Sequence, residues 1–536
     1  MPIVDHHLEV LAPTRNAPAD PARECVAIRT DYRYVVLIKP LENEVIIVAL
    51  RDRDRMGGIG TERMVHGEPE LNHVLTSLIL QFPLTRILLQ GVSREVRTMV
   101  KAACSCASES DIALQCIHTV ETAADVLQPH FLRPEAYRHA VDYLRGLLAD
   151  VERKNGWQLA EYVGYAHPRG IQRVLDRYVW DADAVRDDLR SYVVAELGDP
   201  EGVLVIDETG FPKQGTHSVG VARQYCGTLG KIANCQIGVF LGYASSKGHV
   251  GLDRALFVPK EWAEDPDRRR EVGIPDGVTY RTKPELALEM VQRALDAGVP
   301  AAWVVGDEVY GSDGKLRRAL EKRGQAYVLA VRSNQTTTTW PPYGRPGQVC
   351  VADLAAGVRA ERWQRASCGE GAQGPRIYDW AFLPLRPALR DGWVHGLLLR
   401  RHPERTDEIA YYLVYAPTNT PLSQVVRAAG ARWTIEDTFK LAKGQVGLDH
   451  YEVRSWHGWY RHITLALLAL AALAVGAAKR GGLLAPSIYR SPSLKSAGFS
   501  SGSSGPPPTR PSGSWNGPAG GGATRESPKS ATSAAA

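Results

Sequence analysis

The sequence contains no CxxC pair, and its eight cysteines are scattered along 536 residues. That argues against a zinc site and against a disulfide framework, and favours reduced, buried thiols. No basic-then-apolar leader stands at the N-terminus. Long hydrophobic runs are also scarce. Ile463–Ala478 is apolar throughout, but it is only 16 residues long between Arg461 and Lys479–Arg480, short of the roughly 20 that a bilayer span needs. It therefore predicts a buried core helix and no membrane association. Strong charge of one sign is missing too: the net charge of +5 permits a nucleic-acid partner without demanding one. The 44% hydrophobic and 23% charged content is that of a soluble globular protein, with chain enough for two or three domains.

What is present centres on Val203–Tyr225, VLVIDETGFPKQGTHSVGVARQY. The apolar run Val203–Ile206 ends on Asp207, the pattern of a buried strand with an acid at its tip, after which Thr209, Gly210 and Pro212 are expected to break the strand. The pattern recurs in PAAWVVGDEVYG, which ends on Asp307. A third acid, Glu436, lies in the helical stretch RWTIEDTFKLAKGQVGLDHYEVRSW, where Arg432 and Lys443 fall on the same face and Gly444 and Gly447 end the helix. Two strand-end aspartates and a helix glutamate form a plausible ligand set for hard divalent cations. Glu208 and Glu308 directly follow the aspartates, so on a strand they point to the opposite face and are not assigned as ligands.

Taken in order, residues 1 to about 24 read as a mobile tail, and 1–127 as an extra N-terminal unit. Its α/β pattern has strands at Tyr34–Lys39, Glu44–Leu50, Arg86–Leu89 and Ile112–Ile117 and helices at Leu71–Leu80 and Glu95–Ala107. Residues 128–200 are helical. Within them WQLAEYVGYAHPRGIQRVLDRYVW reads equally well as a helix-turn-helix presenting Arg169 and Arg173 to DNA or as a plain helical hairpin with a solvated basic face. Residues 201–331 give strands at His217–Tyr225 and Gln236–Tyr243, a helix at Thr282–Ala297, the Asp307 strand, a helix at Asp313–Gly324 and a strand at Ala326–Val331. Residues 332–420 form a β-rich insertion, with strands at Gln348–Val351, Ile377–Phe382, Val394–Leu399 and Ile409–Val414, and helices return over 421–480. Trp456 and Trp459, interleaved with Arg454, His457 and Arg461, suit either base stacking or core packing. The Gly/Ser/Pro/Ala-rich stretch 484–536 is expected to be disordered.

VIDETGFPKQG, VVGDEVYG and RWTIEDTFKLAKGQVGLDHYEVRSW resemble the three catalytic blocks of bacterial insertion-sequence transposases of the DDE class, over about residues 130–480. The resemblance implies an α/β fold: a ribonuclease H-like mixed sheet flanked by helices, interrupted by the β-rich insertion and preceded by the helical DNA-binding region. It implies Asp207, Asp307 and Glu436 as catalytic residues and ligands of two Mg²⁺ ions, with Mn²⁺ as a substitute. It also implies metal-dependent cleavage at the element ends followed by strand transfer into target DNA. Lys213, Arg223, Arg432, Lys440 and Lys443 are expected on DNA phosphates. The partners implied are terminal inverted repeats and target DNA, with a homodimer or higher assembly on DNA and a cytoplasmic, nucleoid-associated location. A related branch carries a tyrosine three residues before the arginine; here that position is Ala429, and its role does not carry over. The alternatives are a catalytically silent transposase-derived DNA-binding protein, which keeps the same blocks, and a hydrolase using Asp207 and Asp307 as an acid/base pair, which leaves Glu436 and its basic helix face unexplained.

Overall fold

A computed structural model describes residues 118–371 and 374–479, together with the backbone of four strands nearer the N-terminus. Those four, β1 (Glu9–Leu11), β2 (Val26–Arg29), β3 (Tyr34–Leu41) and β4 (Glu44–Arg51), pair antiparallel in chain order. They include both strands expected around residues 34–50. The other elements expected within 1–117, and the tail from 484, lie outside the described residues.

The helical region is built from short amphipathic segments. α1 (Pro134–Leu148) buries Ala136, Ala140, Leu144 and Leu147 on one face, the period expected of a helix lying on a core. α2 (Gly156–Tyr162) starts on Asn155, whose side chain accepts from the Trp157 and Gln158 amides, and α3 (Arg169–Asp176) follows it. α4 (Ala182–Leu197) is capped by Asp181.

Ten strands among the described residues form one mixed sheet. β5 (Val203–Pro212) lies between β7 (Lys231–Ser245), antiparallel, and β9 (Trp303–Gly306), parallel. β6 (Ala222–Cys226) and β8 (Gly248–Phe257) both pair with the far edge of β7. Beyond β9 comes β10 (Ala326–Val331), and beyond it, in spatial order, β16 (Ile409–Pro417), β15 (Trp393–Arg401), β14 (Gly374–Pro387) and β13 (Gln364–Gly371). The β-rich stretch thus extends the edge of the central sheet. β11 (Thr336–Thr339) and β12 (Gly347–Cys350) make a separate two-stranded ribbon.

α5 (Lys283–Asp296) opens on a capping box between Thr282 and Glu285, which satisfies two amides that the helix leaves free. The short helix α6 (Glu308–Gly311), then α7 (Gly314–Arg323), connect β9 to β10. α8 (Leu422–Ala431) and α9 (Trp433–Val446) cover the other face, and α10 (Trp456–Lys479) packs on β8, α1, α3, α4 and α9. α10 is long and apolar enough to cross a membrane, yet 83% of its most apolar window is buried inside the protein, as expected of a core helix. Trp459 is fully buried and donates to the Tyr451 hydroxyl at 3.2 Å. Arg461 donates to the carbonyls of Leu175 and Trp180. The tryptophan run packs the core here and offers no stacking platform at Trp459.

The structure corrects several expectations. β5 does not break at Thr209 but stays paired with β7 through Pro212, because Gly210 and Pro212 stand where β9 no longer continues on the other side. The strand expected from His217 begins only at Ala222. β8, β11 and β13 carry no clear apolar alternation and were not anticipated, nor was the short helix Val351–Ala356. β8 escapes pattern reading because it buries charges. Arg254 donates to Asp183 at 2.8 Å and to the Thr464 hydroxyl at 2.9 Å. Asp253 accepts from Arg186 and Arg293.

Candidate active site

Register places the two aspartates together. The parallel pairing of β5 with β9 ends at Ile206 opposite Gly306, so Asp207 on β5 and Asp307, just past the end of β9, come next on strands that run about 4.8 Å apart. Asp207 also pairs across β7 with Phe240, whose ring meets Phe439 of α9 edge-on at 5.3 Å. The face of β5 that carries Asp207 is therefore the face α9 covers. Asp307 caps α6 by accepting from the Val309 amide at 2.9 Å.

The electrostatics agree with the register. Burial pushes the Asp207 carboxyl up to about 7, helped by the Asp307 charge. Burial and the nearby Glu208 charge push Asp307 up to about 6. Arg432 is close enough to draw both back down slightly. Among the described residues neither aspartate has an ion-pair partner, so the pair holds more negative charge than the protein neutralises. That is a site for a cation or a proton.

Glu436 reaches the site through Arg432. The Arg432 guanidinium donates to Glu436 at 2.9 Å while acting electrostatically on both aspartates. The three acids thus converge on one arginine, on one side of the sheet. They do not close into a ligand cluster: among the described residues, no group of three or more His, Cys, Asp or Glu stands close enough to hold a metal ion. Arg432 itself sits at the junction between α8 and α9 rather than inside one continuous helix. Gly447, at φ 64°, ends α9, whereas Gly444 lies within it; the expectation that both stop the helix holds only for Gly447.

The expected basic residues divide. Lys443 comes to β5, donating to the Thr209 hydroxyl at 2.8 Å and the Thr228 hydroxyl at 2.9 Å, and burial lowers its pKa. Lys440 is exposed on α9 and Arg223 is exposed on β6. Lys213 lies 3.7 Å above the Tyr451 ring, where burial pulls its pKa down to about 8, so it packs instead of standing free. Arg169 and Arg173 are exposed on α3, which packs on α1, α2 and α10 away from the carboxylates.

Sequence reasoning missed the support around this pair. Glu208 points to the opposite face, as its parity required, and is held there by Lys283 at 2.7 Å and the buried Tyr310 hydroxyl at 2.5 Å. The β-rich strands also reach the site's edge. Tyr378 of β14 stacks on Trp433 at 6.2 Å, Arg400 of β15 lies 4.9 Å from the same ring, and Arg376 pairs with Asp437 at 3.9 Å. Trp433 in the third sequence block was the available signal, since a large aromatic beside an arginine needs packing partners.

A mixed sheet carrying adjacent strand-end aspartates, with helices on both faces, is the layout of a DDE superfamily endonuclease domain, and residues 126–376 match the family of that description. Residues 281–472 match the transposase DDE domain family. Over these residues the chain is similar to DDE endonuclease and transposase domains. A probable transposase for insertion sequence element IS701 from Microchaete diplosiphon is 30% identical over 209 residues. That alignment covers 38% of this chain and 51% of the relative, so the chain matches about half the length of that protein.

Proposed function

We propose that the chain cuts DNA at the ends of an insertion sequence and joins the freed ends to target DNA, with Asp207, Asp307 and Glu436 as the catalytic carboxylates. The observation that carries this reading is the Ile206–Gly306 register, which leaves two under-neutralised aspartates side by side, with Arg432, paired to Glu436, acting on both. The donor set fits hard divalent cations, Mg²⁺ with Mn²⁺ as substitute: oxygen ligands, excess negative charge and room for phosphate oxygens. Asp207 and Asp307 would hold them, and Glu436 would join once Arg432 releases it. Two such ions would supply Lewis-acid stabilisation to the attacking and leaving oxygens of a phosphodiester.

The chain's own groups do the rest. The Arg432 guanidinium, transferred from Glu436 to a phosphate, would orient the strand by a bidentate contact. Lys443, fixed by two threonine hydroxyls, would add a second cation beside the phosphate. Lys440 and Arg223, both exposed, are suited to the flanking backbone, and so is Lys213 if its side chain leaves the Tyr451 ring. The helical segment 128–200 would take the duplex through Arg169 and Arg173, in a homodimer or larger assembly on DNA in the nucleoid. Residues 201–331 with 421–480 would act as the catalytic unit, and 332–420 as an insertion bordering it.

The test is cleavage and strand transfer on duplexes carrying the inverted repeats that flank the gene. Asp207→Ala, Asp307→Ala and Glu436→Ala should each lower turnover at least about a thousand-fold while DNA binding persists, and EDTA should abolish turnover. Activity retained in Asp207→Ala, or insensitivity to EDTA, would remove the assignment.

A further inference from the structure

The β6–β7 hairpin has two unlike faces. One buries Cys226, Cys235 and Ile237 in a small apolar cluster, and its turn is pinned to β5 because the Thr228 hydroxyl donates to the Gly210 carbonyl at 2.9 Å. The other face leaves Tyr225 and Ile232 each 62% exposed. These two are direct cross-strand partners, and Arg223 opposite Asn234 is the next pair on the same face. The pair forms an exposed aromatic–aliphatic contact surface on the ribbon.

Parity shows where that face looks. Asp207 pairs with Phe240 and Phe211 with Gln236, while Asn234 pairs with Arg223 and Ile232 with Tyr225. With a period of two, Tyr225, Ile232 and Arg223 share the sheet face of Asp207 and Thr209. α9 covers that face as far as Lys443, whose amine reaches Thr228 in the hairpin turn; Tyr451 then covers Phe211 and Gln236, and the face opens to solvent at Tyr225 and Ile232. The charge is one-sided as well. From Thr209 to Leu252 there is no Asp or Glu, while Lys213, Arg223, Lys231 and Lys247 lie in that stretch. A carboxylate-free ribbon carrying an exposed aromatic suits a polyanion with stackable rings better than it suits another protein.

We propose that this hairpin grips the DNA next to the cleaved phosphate, Tyr225 and Ile232 packing on an unpaired base and Arg223 taking a flanking phosphate. The inference deepens the transposase reading and rests on it. It assigns to the ribbon the strand separation at the cut end, a task that the carboxylates do not perform.

The probe is a 30-base-pair duplex with an unpaired terminal 2-aminopurine and a fluorescein at the other end, bound by the full chain. Anisotropy reads binding, and 2-aminopurine quenching reads stacking. Wild type should bind and quench. Tyr225→Ala should weaken binding about ten-fold and, at saturating protein, leave 2-aminopurine bright, whereas Tyr225→Phe should bind and quench like wild type. Arg223→Ala should lower the slope of log affinity against log salt by about one and keep the quenching. Equal quenching by Tyr225→Ala, binding by wild type without quenching, or self-association that Tyr225→Ala abolishes would each overturn the hairpin's role while leaving the catalytic reading intact. Failure of wild type to bind any duplex would overturn both.

Discussion

Asp207 and Asp307 are ordinary carboxylates held where their charge is disfavoured. Burial and mutual repulsion push Asp207 up to about 7, so the charged form is less stable in the native state than in the unfolded chain. The cation-free protein therefore loses stability as pH climbs from about 4 through 7, the window between the unfolded and folded values. In EDTA at pH 7.5, Asp207→Asn is expected to stabilise the fold by on the order of 1–3 kcal/mol, a gain that shrinks toward zero as pH approaches 4. Adding Mg²⁺ should raise the melting temperature of wild type and not of the variant. Calorimetry across this pH range checks both. The acids themselves could be read from the chain, because apolar runs ending in a carboxylate are a local signal. Their partners could not: Arg432 pairs locally with Glu436, but its influence on Asp207 depends on a register set by β9.

At the scale of elements, α9 shows what local rules decide and what they leave open. Both Gly444 and Gly447 look like stops, yet only Gly447 adopts the left-handed conformation, at φ 64°. A Cβ there would come within 2.9 Å of the Lys154 side chain. Gly447→Ala is therefore expected to cost about 1–2 kcal/mol, read as a lower urea midpoint with an unchanged slope. Gly444 has nothing within 4 Å of such a Cβ, and its replacement by alanine in the helix interior serves as the stabilising control. Helices α5 and α7 were legible nearly to the residue, through Thr282 with Glu285 and through Asp313 with Gly324, since caps lie within a few residues of what they satisfy. β8 was not legible: its buried Asp253 and Arg254 look like surface residues until Arg186, Arg293 and Asp183 arrive from other elements.

At the scale of the whole molecule, among the described residues, the helical region and the mixed sheet share one core through α10. His462 on that helix is fully buried, accepting from the Tyr143 hydroxyl of α1 at 2.8 Å and donating to the Gly447 carbonyl at 3.1 Å. With both nitrogens satisfied in the neutral ring, burial pushes its pKa down to about 4. Stability is then lost as pH falls from the unfolded value near 6.5 through 4. The loss should approach about 3 kcal/mol by pH 4. Chemical denaturation of wild type and His462→Gln at pH 7 and pH 5 checks this: the variant should start less stable and show a flatter dependence.

The sequence by itself determined the apolar runs, the caps, the three acid-bearing blocks in order and the burial of α10, because each depends on neighbours within a turn or a strand. Only the tertiary structure decided that β5 runs on to Pro212, that Lys213 packs on an aromatic ring, and that Tyr225 and Ile232 share a face with Asp207. Those outcomes depend on strand register and on which charges meet across hundreds of residues, and no local pattern encodes that pairing.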